Sequence, residues 1–131
     1  MRLLVDEYQK NMVFHYLREA ETDLSTAETT PSPALRANLA LLAMRKMQLA
    51  IYYTLGDPST VAFLVASALR EGVPEGDAIL RLLAHLEWLI QIRSIPTGDA
   101  TLGDALREAQ QVQVVASTIV TRIVGDAYGE R

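Results

Sequence analysis

The chain has 131 residues, half of them apolar and about a fifth charged, enough for one domain around one core. Its formal net charge of −4 argues against a dedicated nucleic-acid binder, although it leaves room for a local basic surface. There is no cysteine, so disulfides and thiolate chemistry are excluded and the composition fits a cytoplasmic protein. The opening MRLLVDEYQKN does not read as a signal peptide, because acids follow after only three apolar positions. No apolar run approaches the ~20 residues of a membrane span.

The first predicted helix covers residues 3–28. Leu3, Leu4, Tyr8, Met12, Val13, Tyr16, Leu17, Ala20 and Leu24 recur at three- and four-residue spacing. Its polar positions are mainly acidic (Asp6, Glu7, Glu19, Glu21, Asp23, Glu28), against Arg2, Lys10 and Arg18. Pro31-Ser32-Pro33 breaks it and predicts a second helix over 34–55, with Ser32 as cap and Pro33 in the first turn. That helix is apolar around most of its circumference. Its polar positions are Asn38, Arg45, Gln48 and Tyr52, flanked by Arg36 and Lys46, with no acid at all. Gly56 reads as its stop, and Asp57-Pro58 as cap and first turn of a third helix over 58–71. This third helix is short and apolar nearly all round, which predicts a central position.

A turn at 71–77 leads to a fourth helix over 77–94, capped by Asp77 or an earlier residue. At about 100° per residue, Ile79, Leu82, Leu83, Leu86, Leu89 and Ile90 form its core stripe. Arg81, Ala84, His85, Trp88, Gln91 and Ile92 fall on the opposite side. The chain's only Trp therefore points away from the stripe, toward a partner or another helix layer. The last helix is predicted from Thr101, where Thr101 to Asp104 has capping-box spacing. Leu102, Ala105, Leu106, Ala109, Val112, Ala116, Ile119, Val120 and Ile123 form one stripe. The β-branched stretch VQVVASTIVTRIV stays helical because it is in phase with the preceding turns and has no partner strand. Residues 125–131 read as a loose tail. The expected fold is an all-α, single-domain bundle of about five helices.

No catalytic signature stands out. His15 and His85 sit on different helices without HxxxH or HExxH spacing, and phosphate-loop and nucleophile-elbow motifs are missing. Glu19 and Asp23 have the i,i+4 spacing that could begin a metal site, but a solvated acidic face is the favoured reading. No catalytic residue, cofactor, metal or small-molecule substrate is expected. Arg36, Arg45, Lys46 and Arg81, with Tyr52 and Trp88 as aromatic plates, are candidates for holding a nucleic-acid backbone. The same cations could instead pair with the acidic first helix, each exposed pair contributing little. Tyr52, His85 and Trp88 are the candidate protein-interface residues, since Trp is enriched at binding hot spots.

Two resemblances follow from these residues. Arg81 and His85 share a helix face, as in small helical ribonucleases of the HEPN type, although they stand closer together than in that family. At the level of architecture, the cysteine-free helical chain with a few cations on two helices resembles the helical small subunit of Cascade-type CRISPR effector complexes. That resemblance implies a non-enzymatic antiviral-defence subunit that contacts neighbouring subunits and holds single-stranded nucleic acid through its backbone. Arg36, Arg45, Lys46 and Arg81 would be its strand-facing side chains. A stand-alone homodimeric helical interaction protein is the remaining expectation.

Overall fold

In the computed structural model, residues 7–94 and 99–128 are described, with side chains placed for 7–94 and 105–124. Five helices follow in chain order: α1 (Glu7–Thr29), α2 (Pro33–Leu55), α3 (Pro58–Glu71), α4 (Ala78–Arg93) and α5 (Asp99–Tyr128). Among the described residues there is no strand, and the chain is an all-α, single-domain bundle.

The boundaries have local causes. Ser32, Asp57 and Asp77 each accept a hydrogen bond from the backbone N–H three residues on, at 3.2, 3.0 and 2.9 Å. These side chains satisfy donors that the first helical turn leaves open. Pro33 and Pro58 occupy first-turn positions, where a missing N–H costs nothing. At the end of α3, Gly72 has φ +97° and donates its N–H to Ala68 O at 2.8 Å, a backbone state that L side chains rarely adopt.

The core belongs to α2. Its buried set includes Ala37, Ala40, Ala43, Met44, Met47, Ala50 and Ile51. Such a run buries most of the helix and leaves only a narrow exposed stripe through Leu35, Asn38, Leu42 and Arg45. Its most extensive packing is against α1, then α5, while α3 and α4 pack mainly on each other. Small residues make the close approaches possible. Ala20 and Ala27 on α1 and Ala105, Ala109 and Ala116 on α5 are all buried. A second apolar group joins Val13, Ala50, Val120 and Val124 across α1, α2 and α5.

Three expectations change. The third helix is peripheral rather than central: it buries only Val65 and Ala68 and leaves Phe63, Leu64 and Leu69 exposed. Uniform apolarity marked a buried helix in α2 and an outer one in α3, because α3 turns away by 110° after Gly56. The fourth helix is rotated from its expected phase. Leu83, Leu86 and Ile90 are buried as anticipated, but Ala84 is buried and Ile79 exposed. Finally, α5 starts at Asp99, ahead of the expected Thr101 cap, and continues through Gly125 to Tyr128 rather than ending in a tail at 125. Leu3 and Leu4 lie outside the described residues.

Candidate interaction surfaces

The polar positions of α2 divide: Asn38 and Arg45 are exposed, whereas Gln48 and Tyr52 are not. Gln48 is 1% exposed and Tyr52 5%. Both look toward the α3–α4 hairpin, where α4 supplies Glu87. One Glu87 oxygen accepts from Arg45 Nη1 and Gln48 Nε2, each at 2.7 Å, and the other accepts from Gln91 Nε2 at 2.7 Å. Arg45 also donates to Gln48 Oε1. Burial opposes the Glu87 charge, but the hydrogen bonds from Gln91, Gln48 and Arg45 outweigh it and hold the carboxyl below its usual range. Burial, with the Glu87 carboxylate nearby, pushes the Tyr52 phenol up to about 12, partly offset by Arg45 and Gln48. Tyr52 is thus largely buried within the chain rather than on an open face, with its remaining exposure in the groove between α2, α3 and α4.

The other cations of α2 are also engaged. Lys46 Nζ lies 2.8 Å from Asp23 Oδ2 and 3.1 Å from Glu19 Oε1. Burial works against its charge, but contact with both carboxylates wins and raises its pKa. Hydrogen bonding to Lys46 is the main cause that lowers Glu19, with His15 adding a minor attraction at 3.2 Å. The acidic pair on α1 therefore faces an ammonium of the same chain. No group of three or more potential metal ligands occurs among the described residues. Arg36 donates to Thr30 O from Nη2 at 2.9 Å and from Nε at 3.3 Å, tying the α1–α2 turn to the start of α2. Of the four candidate strand-holding cations, three are thus partnered within the chain. Arg81 is exposed on α4.

His85 and Trp88 come together. Their rings stack with centroids 5.7 Å apart, and Trp88 is 49% exposed. His85 borders a groove between α4 and α5 that Arg81 does not line, so the HEPN-like pair is not gathered into one concave site.

Two of the surface grooves border the α3–α4 hairpin. The larger, about 670 Å³, runs between α2, α3 and α4. Leu49, Tyr52, Ala62, Val65, Ala66 and Leu69 give it an apolar wall, with Arg70 and the Arg45–Glu87 pair supplying polar groups. Phe63, 66% exposed, stands one position from Ala62 and one helical turn from Ala66. The smaller, about 250 Å³, lies between α4 and α5 over Ile51 of α2. Arg93 spans its end with a two-pronged bond to Glu108, at 2.7 and 2.6 Å. Neither groove was foreseen, because each depends on how helices are spaced rather than on one helix's pattern. Glu87 was likewise overlooked. Its i,i+4 spacing to Gln91, with a helix elsewhere in the chain that carries cations and no acids, was the available signal.

No protein-family model, curated protein or solved structure matches the chain. The fold defines it as an all-α helical bundle with open grooves on its surface. No single described helix is long and apolar enough to cross a membrane; α2 and α3 pass that test only as a pair, bent by 110°.

Proposed function

We propose that this chain is a non-enzymatic assembly protein that receives a helix of a partner protein in the α2–α3–α4 groove. The observation that carries this reading is the groove with Leu69, a large apolar side chain 37% exposed in its lining, and with Phe63 exposed on the adjoining flank of α3. Leaving such groups exposed forfeits the transfer energy their burial would provide, about 25 cal/mol per Å². Apolar patches of this kind mark interaction sites. An amphipathic helix is the fitting occupant: it would lay an apolar stripe on Ala62, Ala66 and Leu69 and present an acid toward Arg70. Arg70 makes a 3.4 Å contact with Ser67 and borders the groove.

The CRISPR effector-subunit version is a narrower form of the same reading, in which the partner is a neighbouring subunit. The engagement of Arg36, Arg45 and Lys46 within the chain favours its protein contacts over its strand contacts.

Ala62→Arg and Ala66→Arg place bulk and charge in the groove from exposed positions, so the fold is expected to survive. Tagged wild-type protein expressed in its native cells is expected to co-purify with a partner in near-stoichiometric amount, and the double variant to lose it. Equal recovery of the same proteins by both would overturn the proposal.

A further inference from the structure

We infer that the polar end of the α2–α3–α4 groove is a binding site for a small organic monocarboxylate with an apolar body, its carboxylate held by Arg45 and Tyr52. The inference shares this groove with the reading above but does not rest on it, because it concerns a small molecule and the isolated chain.

The site is built from one face of α2. Arg45, Gln48 and Tyr52 stand at i, i+3 and i+7, and all three line the groove. The fold holds Arg45 in place through a single nitrogen. Nη1 donates to Glu87 Oε1 at 2.7 Å and also to Gln48 Oε1. Its Nε and Nη2 have no partner among the described residues, and the side chain is 44% exposed. The guanidinium therefore offers a free two-nitrogen edge, a fork that matches the two oxygens of a carboxylate.

Tyr52 adds a donor at the buried end. It is 5% exposed and lines the groove. Its hydrogen-bonding neighbour within the chain is Gln48, whose carbonyl oxygen already accepts from Arg45 and whose amide donates to Glu87. Burial keeps the phenol protonated, which leaves its O–H for an acceptor in the groove. A buried hydroxyl without an acceptor is costly, and a ligand oxygen removes that cost.

Charge selects the class of ligand. Arg45, Arg70 and Glu87 are the charged side chains of the lining, a local balance of +1. Both Glu87 oxygens are already engaged, by three donors of the chain. The groups left over are mainly donors, and their balance suits an anion of single charge. A carboxylate meets that better than a phosphate monoester, which carries nearly two charges at neutral pH. Leu49, Val65, Ala66 and Leu69 line the rest with apolar surface, so the body of the ligand is aliphatic or aromatic. At about 670 Å³ the groove lies within the ~300–1,000 Å³ of small-molecule sites. On the reading above, such a ligand and the partner helix would compete for one groove.

Octanoate is the probe, titrated into the purified full chain and followed by amide chemical shifts. Saturable shifts are expected around Tyr52, Ala62 and Ala66 and not along α1, with a Kd below about 1 mM. Octylammonium, the same body with the opposite charge, is expected to bind at least tenfold more weakly. Tyr52→Phe keeps the ring and is expected to weaken octanoate roughly threefold or more. Arg45→Lys keeps a cation for Glu87 but removes the fork, and is expected to weaken it about tenfold. Arg18→Gln, on the exposed surface of α1, is expected to change nothing. Helical circular dichroism and the thermal midpoint establish that each variant is folded, and Tyr52→Phe decides the matter should Arg45→Lys not be. No saturable shift up to about 10 mM octanoate would overturn the inference. Equal affinity for octylammonium, or wild-type affinity in the folded variants at positions 45 and 52, would do the same. The co-purification test of the partner groove contains no octanoate, so each result can fail without the other.

Discussion

Tyr52 shows what one side chain can report about the interior. It is buried beside the Glu87 carboxylate, and its phenol is raised from an ordinary 10 to about 12. Folding therefore holds the phenolic proton more tightly than the unfolded chain does. The associated stabilisation is complete below pH 10 and is lost as pH rises toward 12. A two-unit shift corresponds to roughly 2–3 kcal/mol. Lys46, also raised, loses stabilisation in the same alkaline direction, so wild type must be compared with Tyr52→Phe rather than with itself at neutral pH. The expected outcome is that urea midpoints of wild type fall faster than those of Tyr52→Phe between pH 10 and 12. Parallel curves would show that the phenol is not held neutral.

Helix α2 carries the argument at the next scale, because its small residues set how closely its neighbours approach. Ala50 is fully buried among Val13, Val120 and Val124, where α1, α2 and α5 converge. Enlarging it must move a helix or force strained rotamers, so Ala50→Leu is expected to cost about 1–3 kcal/mol. Ala62→Leu on exposed α3 should stay within about 0.5 kcal/mol. Equal costs at the two positions, measured by urea denaturation, would contradict this division of helices. The sequence carried much of the pattern: caps at Ser32, Asp57 and Asp77, and stripes containing Val13, Ala20, Leu24, Ala105, Ala109, Ala116 and Val120, are local signals that the fold obeys. Burial of α2 against exposure of α3 was not legible, because both are apolar around their circumference and only the bend after Gly56 distinguishes them. The phase of α4 was hidden for a related reason. Glu87 faces inward because Gln48 and Arg45 meet it across the bundle, and helical periodicity within α4 contains nothing about α2. Of the candidate residues, His85 and Trp88 were recognisable as a pair on one face, whereas the partners that engage Arg36 and Lys46 come from a turn carbonyl and from α1.

For the molecule as a whole, the uneven packing predicts uneven stability. Helices α1, α2 and α5 pack on one another most extensively, while the α3–α4 hairpin enters the same core through Val65, Leu83, Leu86 and Ile90 and leaves most of α3 in solvent. The Glu87 network with Arg45 and Gln48 is the polar tie between the hairpin and α2, beside the Arg93–Glu108 bond to α5. Segments with few buried contacts open locally at less free energy than global unfolding requires. Native-state hydrogen exchange is therefore expected to give faster exchange in α3 and in the exposed face of α4 than in α2. Glu87→Gln keeps the shape but removes the charge, and charged hydrogen bonds are worth about 1.5–3 kcal/mol. It is expected to accelerate exchange in α3 and α4 severalfold while leaving the slowest amides of α1 less affected. Acid should act on the same tie. The folded Glu87 carboxyl sits below its ordinary 4.5, so its stabilisation is present above that value and disappears as pH falls through the folded one. Once exchange rates are corrected for their intrinsic pH dependence, lowering pH below 4.5 should raise α3 and α4 opening in wild type more than in Glu87→Gln. Uniform protection across all five helices, or identical acid responses in the two proteins, would mean that the hairpin and the α1–α2–α5 core unfold as one unit.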